Sequence, residues 1–421
     1  MSSDEWQKVR LGDVIEFNPN EKLKKGELAK KIGMDKLHPL QRYIRGFEIT
    51  KYTSGTKFRN GDTLLARITP CLENGKTAQV TVLEKDEVGF GSTEFIVLRE
   101  KKEYTVNDFI YYLAISPNLR DIAIKSMTGT SGRQRAQVDL IKNTPMKFPP
   151  KRIQKKVAYI LSTIDEKIEL NNRINQNLEA MAQAIFKHWF VDFEFPNEEG
   201  RSYKSSGGEM VESELGLIPR RWEVSDLGSI SEIQNGFAFK ASDYVADGVK
   251  VLRTLNIGEN GYFTNNNLVY LPQKYRSEKY EKYILKNFDV ALVMVGASIG
   301  KIGMVLRNTE GSLQNQNMWR FRSKDGQIPQ LFLYYLVKEA QKVASNWETG
   351  SARLFYRKDS FSKIKVIFPN NNTLMLFKKV SSAIFNRVNN NVIENERLVI
   401  LRDTLLPKLM SGEIRVPMEE I

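Results

Sequence analysis

Between Ile153 and Phe190, Val157, Ile164, Asn171, Leu178 and Ile185 recur every seven residues, and Leu161, Ile168, Asn175 and Ala182 form a companion series. This alternation of four and three is the seam of a long helix built to lie against another helix. A chain with such a seam must supply a partner and must explain two asparagines where apolar residues belong. Adding 220 to the first seam gives both answers: Phe377, Ile384, Asn391, Leu398 and Leu405, with Ser381, Val388, Asn395 and Arg402 as companions. The spacing predicts a second helix over about 373–410, its last turn kinked by Pro407 and ended by Ser411-Gly412. Ser381 and Arg402 interrupt the apolar pattern, so looser packing is expected beside them.

The echo extends beyond the helices. Trp6 and Leu11-Gly12 return as Trp222 and Leu227-Gly228, and 60–66 returns as 287–293. Gly75-Lys76 is matched by Gly300-Lys301, and Tyr111-Tyr112-Leu113 by Tyr334-Tyr335-Leu336. The loop 128–133 is paralleled by 349–353, and Phe148-Pro149 by Phe368-Pro369. All these offsets lie between 216 and 227 and keep one order, which marks an internal duplication. Two like helices joined through a globular block pack most simply as an antiparallel pair about a pseudo-twofold axis. Asn171 is then expected to face Asn395, and Asn175 to face Asn391. Polar seam residues fix register because a slipped pairing leaves their amides unsatisfied.

Each block before a seam helix reads as α+β. Short β-like pieces at 63–68, 77–82 and 94–98 are punctuated by Gly61-Asp62 and Asn74-Gly75, and 108–124 reads as one amphipathic helix with Phe109, Tyr112 and Leu113 inward. The expected organisation is a globular domain over 1–150, a spacer helix over 151–195, a polar linker over 196–216, a second globular domain over 217–370, and a second helix with its tail over 371–421.

The net charge of +13 is concentrated in the blocks: 1–150 holds 25 Lys and Arg against 19 Asp and Glu, and 217–370 holds 22 against 14. Basic globular surfaces suit a polyanion such as nucleic acid. One cysteine, Cys71, excludes a disulfide framework, and with His38 and His188 the only histidines no zinc ligand set can be assembled. The polar start and the shortness of the most apolar run, 290–299, give the expectation of a cytoplasmic protein without a membrane span.

Catalytic motifs fail on inspection. Gly296-Ala297-Ser298-Ile299-Gly300-Lys301-Ile302 has three residues between its glycines where a phosphate loop has four, and Ile302 where a metal-binding hydroxyl should stand. Asn18-Pro19-Asn20-Glu21 lacks the aromatic end of an amino-methyltransferase tetrad, and His188 reads as a packing or interface residue rather than a general base. What remains is binding. The loops over 128–135 and 349–358 join small residues to cations, which can place guanidinium groups on base edges or phosphates. The candidates are Arg133, Gln134 and Arg135 in the first block, and Arg353, Arg357 and Lys358 in the second. Lys76 and Lys301 are candidate phosphate contacts, and Asn315, Gln316 and Asn317 offer amides suited to adenine.

Assembled, these residues resemble a specificity subunit of a Type I restriction-modification system. The resemblance rests on Ser213-Glu214-Leu215-Gly216-Leu217-Ile218-Pro219 followed by Trp222, on Trp189-Phe190-Val191-Asp192-Phe193, on the run 401–412 and on Gly129-Thr130-Ser131-Gly132-Arg133-Gln134. It implies two similar α/β target-recognition domains separated by two long antiparallel coiled-coil helices, each domain reading half of a bipartite double-stranded DNA site. It further implies that the helices set the spacing and dock two methyltransferase subunits, that a restriction subunit can join, and that the chain is not itself catalytic. S-adenosylmethionine, ATP and magnesium then belong to partners, and this chain needs no cofactor of its own. Three alternatives stay open: service to a fused restriction-methyltransferase enzyme, a scaffold binding nucleic acid without sequence preference, and a stand-alone enzyme using the Gly296–Lys301 loop.

Overall fold

The computed structural model describes residues 6–324, 326, 328–347 and 355–416. Two compact units emerge, one formed by 1–170 with 395–421 and the other by 171–394. The division falls inside both long helices, Lys151–Phe186 and Asn371–Ser411, so each unit contains one globular block and half of each helix.

In the first unit a four-stranded sheet runs in the order Ile15–Phe17, Phe95–Glu100, Thr63–Ala66, Thr77–Gln79. Its central strands are apolar on both sides because both faces are covered. Leu65, Ile96 and Leu98 pack with the helix Asn107–Ile115 and with Val157, Leu161, Leu406 and Leu409 of the long helices. Leu64, Phe95 and Val97 pack on the other face with Phe58 and Ile32. A strand whose successive side chains all enter a core reads as a continuous apolar run, which is what Thr63–Ala66 shows.

The second unit repeats the plan. Its sheet runs Ser231–Asn235, Met318–Ser323, Val290–Val293, Ile302–Met304, with the same order and antiparallel pairings. The smaller sheets also correspond: Leu28–Ile32 pairs parallel with Val88–Gly91, and Val249–Leu252 pairs parallel with Leu313–Gln314. The first block adds an extra edge strand, Thr56–Arg59. In both blocks an antiparallel pair, Gln7–Arg10 with Pro145–Phe148 and Glu223–Asp226 with Lys365–Phe368, delivers the chain into a long helix.

Shared buried chemistry explains the echoes. Asp62 takes Arg99 on both oxygens at 2.7 Å and accepts the Arg59 N–H. Asp289 takes Arg322 and accepts the Lys286 N–H in the same way. The repeated Leu-Gly is explained by close approach: a Cβ on Gly12 would sit 3.3 Å from the Lys142 Cβ, and one on Gly228 2.7 Å from the Ser362 Cβ.

Within each unit the helices are antiparallel. In the second, Asn391 donates to the Asn175 Oδ1 at 2.8 Å, as the seam predicted for that pair. Asn171 donates to the Glu394 carboxylate at 2.8 Å, and its expected partner Asn395 falls in the other unit. In the first, Arg402 donates to Asp165 at 2.8 Å and to the Leu40 carbonyl at 3.1 Å.

The structure corrects three expectations. Packing is not loose at the polar seam positions: Arg402 is buried in an ion pair, and buried Ser381 returns its hydroxyl to the Phe377 carbonyl. The stretch 108–124 is two helices, Asn107–Ile115 and Pro117–Lys125, because Pro117 drives Ser116 into an extended conformation. His188 is exposed. Within 196–216 the chain is folded: Tyr203 stacks on Phe195, and Met210–Ser213 forms a hairpin with Gly216–Pro219.

Candidate nucleic-acid interface

In each block the segment leaving the third strand of the sheet order forms a shelf on which two other loops rest. In the first block the Arg67 N–H donates to the Glu94 carbonyl at 3.0 Å, and the Ala136 N–H to the Arg67 carbonyl at 2.8 Å. Ile68 bridges Arg135, and the Thr69 N–H donates to the Gln134 carbonyl. In the second block the Met294 N–H donates to the Asn317 carbonyl at 3.2 Å, the Tyr356 N–H to the Met294 carbonyl at 2.9 Å, and Val295 bridges Phe355. Most of the candidates read from the sequence, scattered along the chain, therefore meet on one rim per block.

They are not equivalent. The Arg133 guanidinium is exposed at the loop tip, whereas Arg135 is held by Glu94 through Nε at 3.0 Å and Nη2 at 2.7 Å. The Gln134 carbonyl is committed to the shelf, and its side chain is half-buried. Gln137 cross-links the loop by donating to the Thr128 hydroxyl at 2.6 Å and the Arg135 carbonyl at 3.0 Å. On the second rim Gln316 and Asn317 are exposed and Asn315 is half-buried. Arg357 and Lys358 are exposed, with the Arg357 guanidinium 5.9 Å from the Phe355 ring centre. Arg353 and the stretch 349–352 lie outside the described residues.

Lys76 and Lys301, the candidate phosphate contacts, each have a backbone partner within the fold. Lys76 is half-buried and donates to the Met34 carbonyl at 2.9 Å, and Lys301 likewise donates to the Ile257 carbonyl. Each follows a glycine in the left-handed region, Gly75 at φ 75° and Gly300 at φ 82°, where a side chain is strained. Both half-buried lysines stitch a turn to a neighbouring loop through a backbone carbonyl.

Sequence reading missed Glu94 and Phe355. The signal was available: carrying the echo through the rim sets Arg135 against Phe355 and Glu94 against Asn317. Among the described residues no three His, Cys, Asp or Glu side chains gather as a metal site, and no helix is long and apolar enough to cross a membrane.

The family model for the Type I restriction modification DNA specificity domain matches the chain twice, over 3–180 and 219–401. The chain belongs to this family. Each specificity domain thus takes in one globular block and much of the helix that follows it. The HindI specificity subunit of Haemophilus influenzae is 27% identical over 385 residues, covering 77% of this chain and 81% of that one. The MjaVIII specificity subunit of Methanocaldococcus jannaschii is 27% identical over 424 residues, covering 98% and 94%. A crystal structure of the Type-I restriction-modification S subunit from M. genitalium shares the fold, with a TM-score of 0.56 at 15% identity over 97% of both chains.

Proposed function

We propose that each specificity domain reads one half of a bipartite double-stranded DNA site, and that the paired helices set the gap between the halves. One observation carries this reading: the two domains share buried framework down to single ion pairs, yet differ in side chains on the rim. A duplicated protein-binding module has no need of two different rims on one framework. Two unlike DNA half-sites do, since base edges are discriminated by the identity and placement of a few side chains.

The basic excess lies in the globular blocks, which supports contact with phosphates around each half-site. A helix of 36 residues is about 54 Å long at 1.5 Å per residue, more than one ~34 Å turn of duplex. Apolar side chains left exposed on the helices, among them Tyr159, Met181, Leu376 and Ile400, offer docking area for two methyltransferase subunits, with a restriction subunit as a further partner. In this reading the chain supplies no catalytic group and works in the cytoplasm. Methyl donor, ATP and magnesium are held by the partners.

The test is to co-express the chain with its methyltransferase and map modified adenines genome-wide. A split motif with two unlike halves and a fixed gap is the expected result. Modification without sequence preference would leave only a scaffold that binds nucleic acid.

A further inference from the structure

The rims carry an asymmetry that can be followed to individual positions. The backbone around 67–68, 94 and 135–136 is superimposed in hydrogen bonding on that around 294–295, 317 and 355–356. On this common shelf the first domain places a carboxylate and a guanidinium, Glu94 and Arg135. The second places an amide and an aromatic ring, Asn317 and Phe355. Nothing in the shelf demands either pair, since the same backbone tolerates both.

Resting on the DNA-reading function just proposed, we infer that 94 with 135, and 317 with 355, are matched specificity-determining positions. Arg135, aligned by Glu94, reads a guanine in one half-site, and Asn317 with Phe355 reads a different base pair in the other. Glu94 occupies the Nε and Nη2 side of the guanidinium, and among the described residues no group occupies Nη1. The Nη1–Nη2 end is therefore free to donate two parallel hydrogen bonds, the pattern that guanine O6 and N7 accept. The Arg135 side chain is 44% exposed and that of Glu94 23%, so the pair is accessible yet ordered. A planar fork already held in place loses less freedom on binding than a free one. As an ion pair it also carries no net charge, so it contributes little to attraction for phosphate. What it offers is direction. Asn317 can donate and accept at adenine, and the exposed Phe355 can meet a thymine methyl.

The experiment uses the full chain with its methyltransferase and reads the modified motif after each exchange. Arg135→Lys keeps charge and approximate size at an exposed position but removes the fork. It should cost roughly 10- to 100-fold discrimination at one guanine of one half-site and leave the other half-site unchanged. The double exchange Glu94→Asn with Arg135→Phe should abolish that guanine preference, and Asn317→Glu with Phe355→Arg should change only the opposite half-site. A thermal melt of each variant, compared with wild type, identifies loss of fold. The proposal is overturned if Arg135→Lys leaves the half-site intact, or if modification falls equally at every site as a phosphate contact would require. A wild-type complex without any sequence preference would instead defeat the DNA-reading function on which the proposal rests.

Discussion

Replacing Arg402 by methionine should destabilise the first unit by about 3–5 kcal/mol, the usual consequence of leaving one member of a buried ion pair alone. The side chains of Arg402 and Asp165 are 5% and 4% exposed, and the Tyr112 hydroxyl also donates to Asp165 at 2.7 Å. Burial alone would lower the Arg402 pKa, but Asp165 and Asp403 outweigh it and hold the guanidinium above its usual value. Without Arg402, the buried Asp165 carboxylate keeps the Tyr112 hydroxyl as its remaining hydrogen-bond donor, with Arg42 behind it on that hydroxyl. In a unit of about 200 residues each kcal/mol moves the melting temperature by about 2–4 °C, so the expected shift is roughly 6–20 °C. The second unit shows that the ions are replaceable: the positions 220 residues away hold Phe385 and Ala182, each 1% exposed, in an aromatic core with Phe186 and Tyr335. The triple variant Asp165→Leu, Arg402→Met, Tyr112→Phe removes Asp165 with both of its hydrogen-bond donors, leaves Arg42 to Gln79 and Asp108, and should return to within ~1–2 kcal/mol of wild type. Calorimetry on the full chain measures both. A single variant within 1 kcal/mol of wild type, or a triple variant no better than the single, would refute the account.

Asn175→Ala strands the buried Asn391 amide and should cost about 1–3 kcal/mol in chemical denaturation, with much of the loss recovered when Asn391 is also made leucine. Inserting one heptad into both long helices adds about 10.5 Å and should lengthen the gap in the modified motif by roughly 3 base pairs. Both half-sites should be unchanged, and altered half-site sequences would count against the spacer role. Burial pushes the Glu179 carboxyl up to about 7, with Lys338 opposing. Because folding raises this pKa, the stabilising contribution is complete below about 4.5 and is lost as pH rises through 7. Thermal melts of Glu179→Gln should therefore depend less on pH between about 4.5 and 7 than those of wild type, with no difference in slope above that range.

The helices, the duplication and the doubly covered strands were legible because each imposes a period or repeat on the sequence. The break at Ser116 was legible too, since Pro117 was in view, but an apolar pattern continuing across it favoured one helix. Arg402 is a different kind of miss. A cation on a seam reads as a defect until the opposing residue is known, and Asp165 is more than 200 positions away. Lys76 and Lys301 show what the duplication alone leaves open. A cation present in both copies looked functional, and in both copies it also bonds a backbone carbonyl of the fold. Which loops share a rim could not be read from sequence, because the bridges of Ile68 to Arg135 and Val295 to Phe355 join segments 60 or more residues apart.

The division of the chain into units bears on the order in which it can be made. The second unit is one uninterrupted stretch, 171–394, whereas the first needs 395–421 to be complete. During synthesis the second unit therefore has all its parts while Val157, Leu161 and Asp165 still lack Leu406, Leu409 and Arg402. The domain translated first closes last, and a ribosome stalled before residue 400 leaves its half-seam uncovered and open to aggregation.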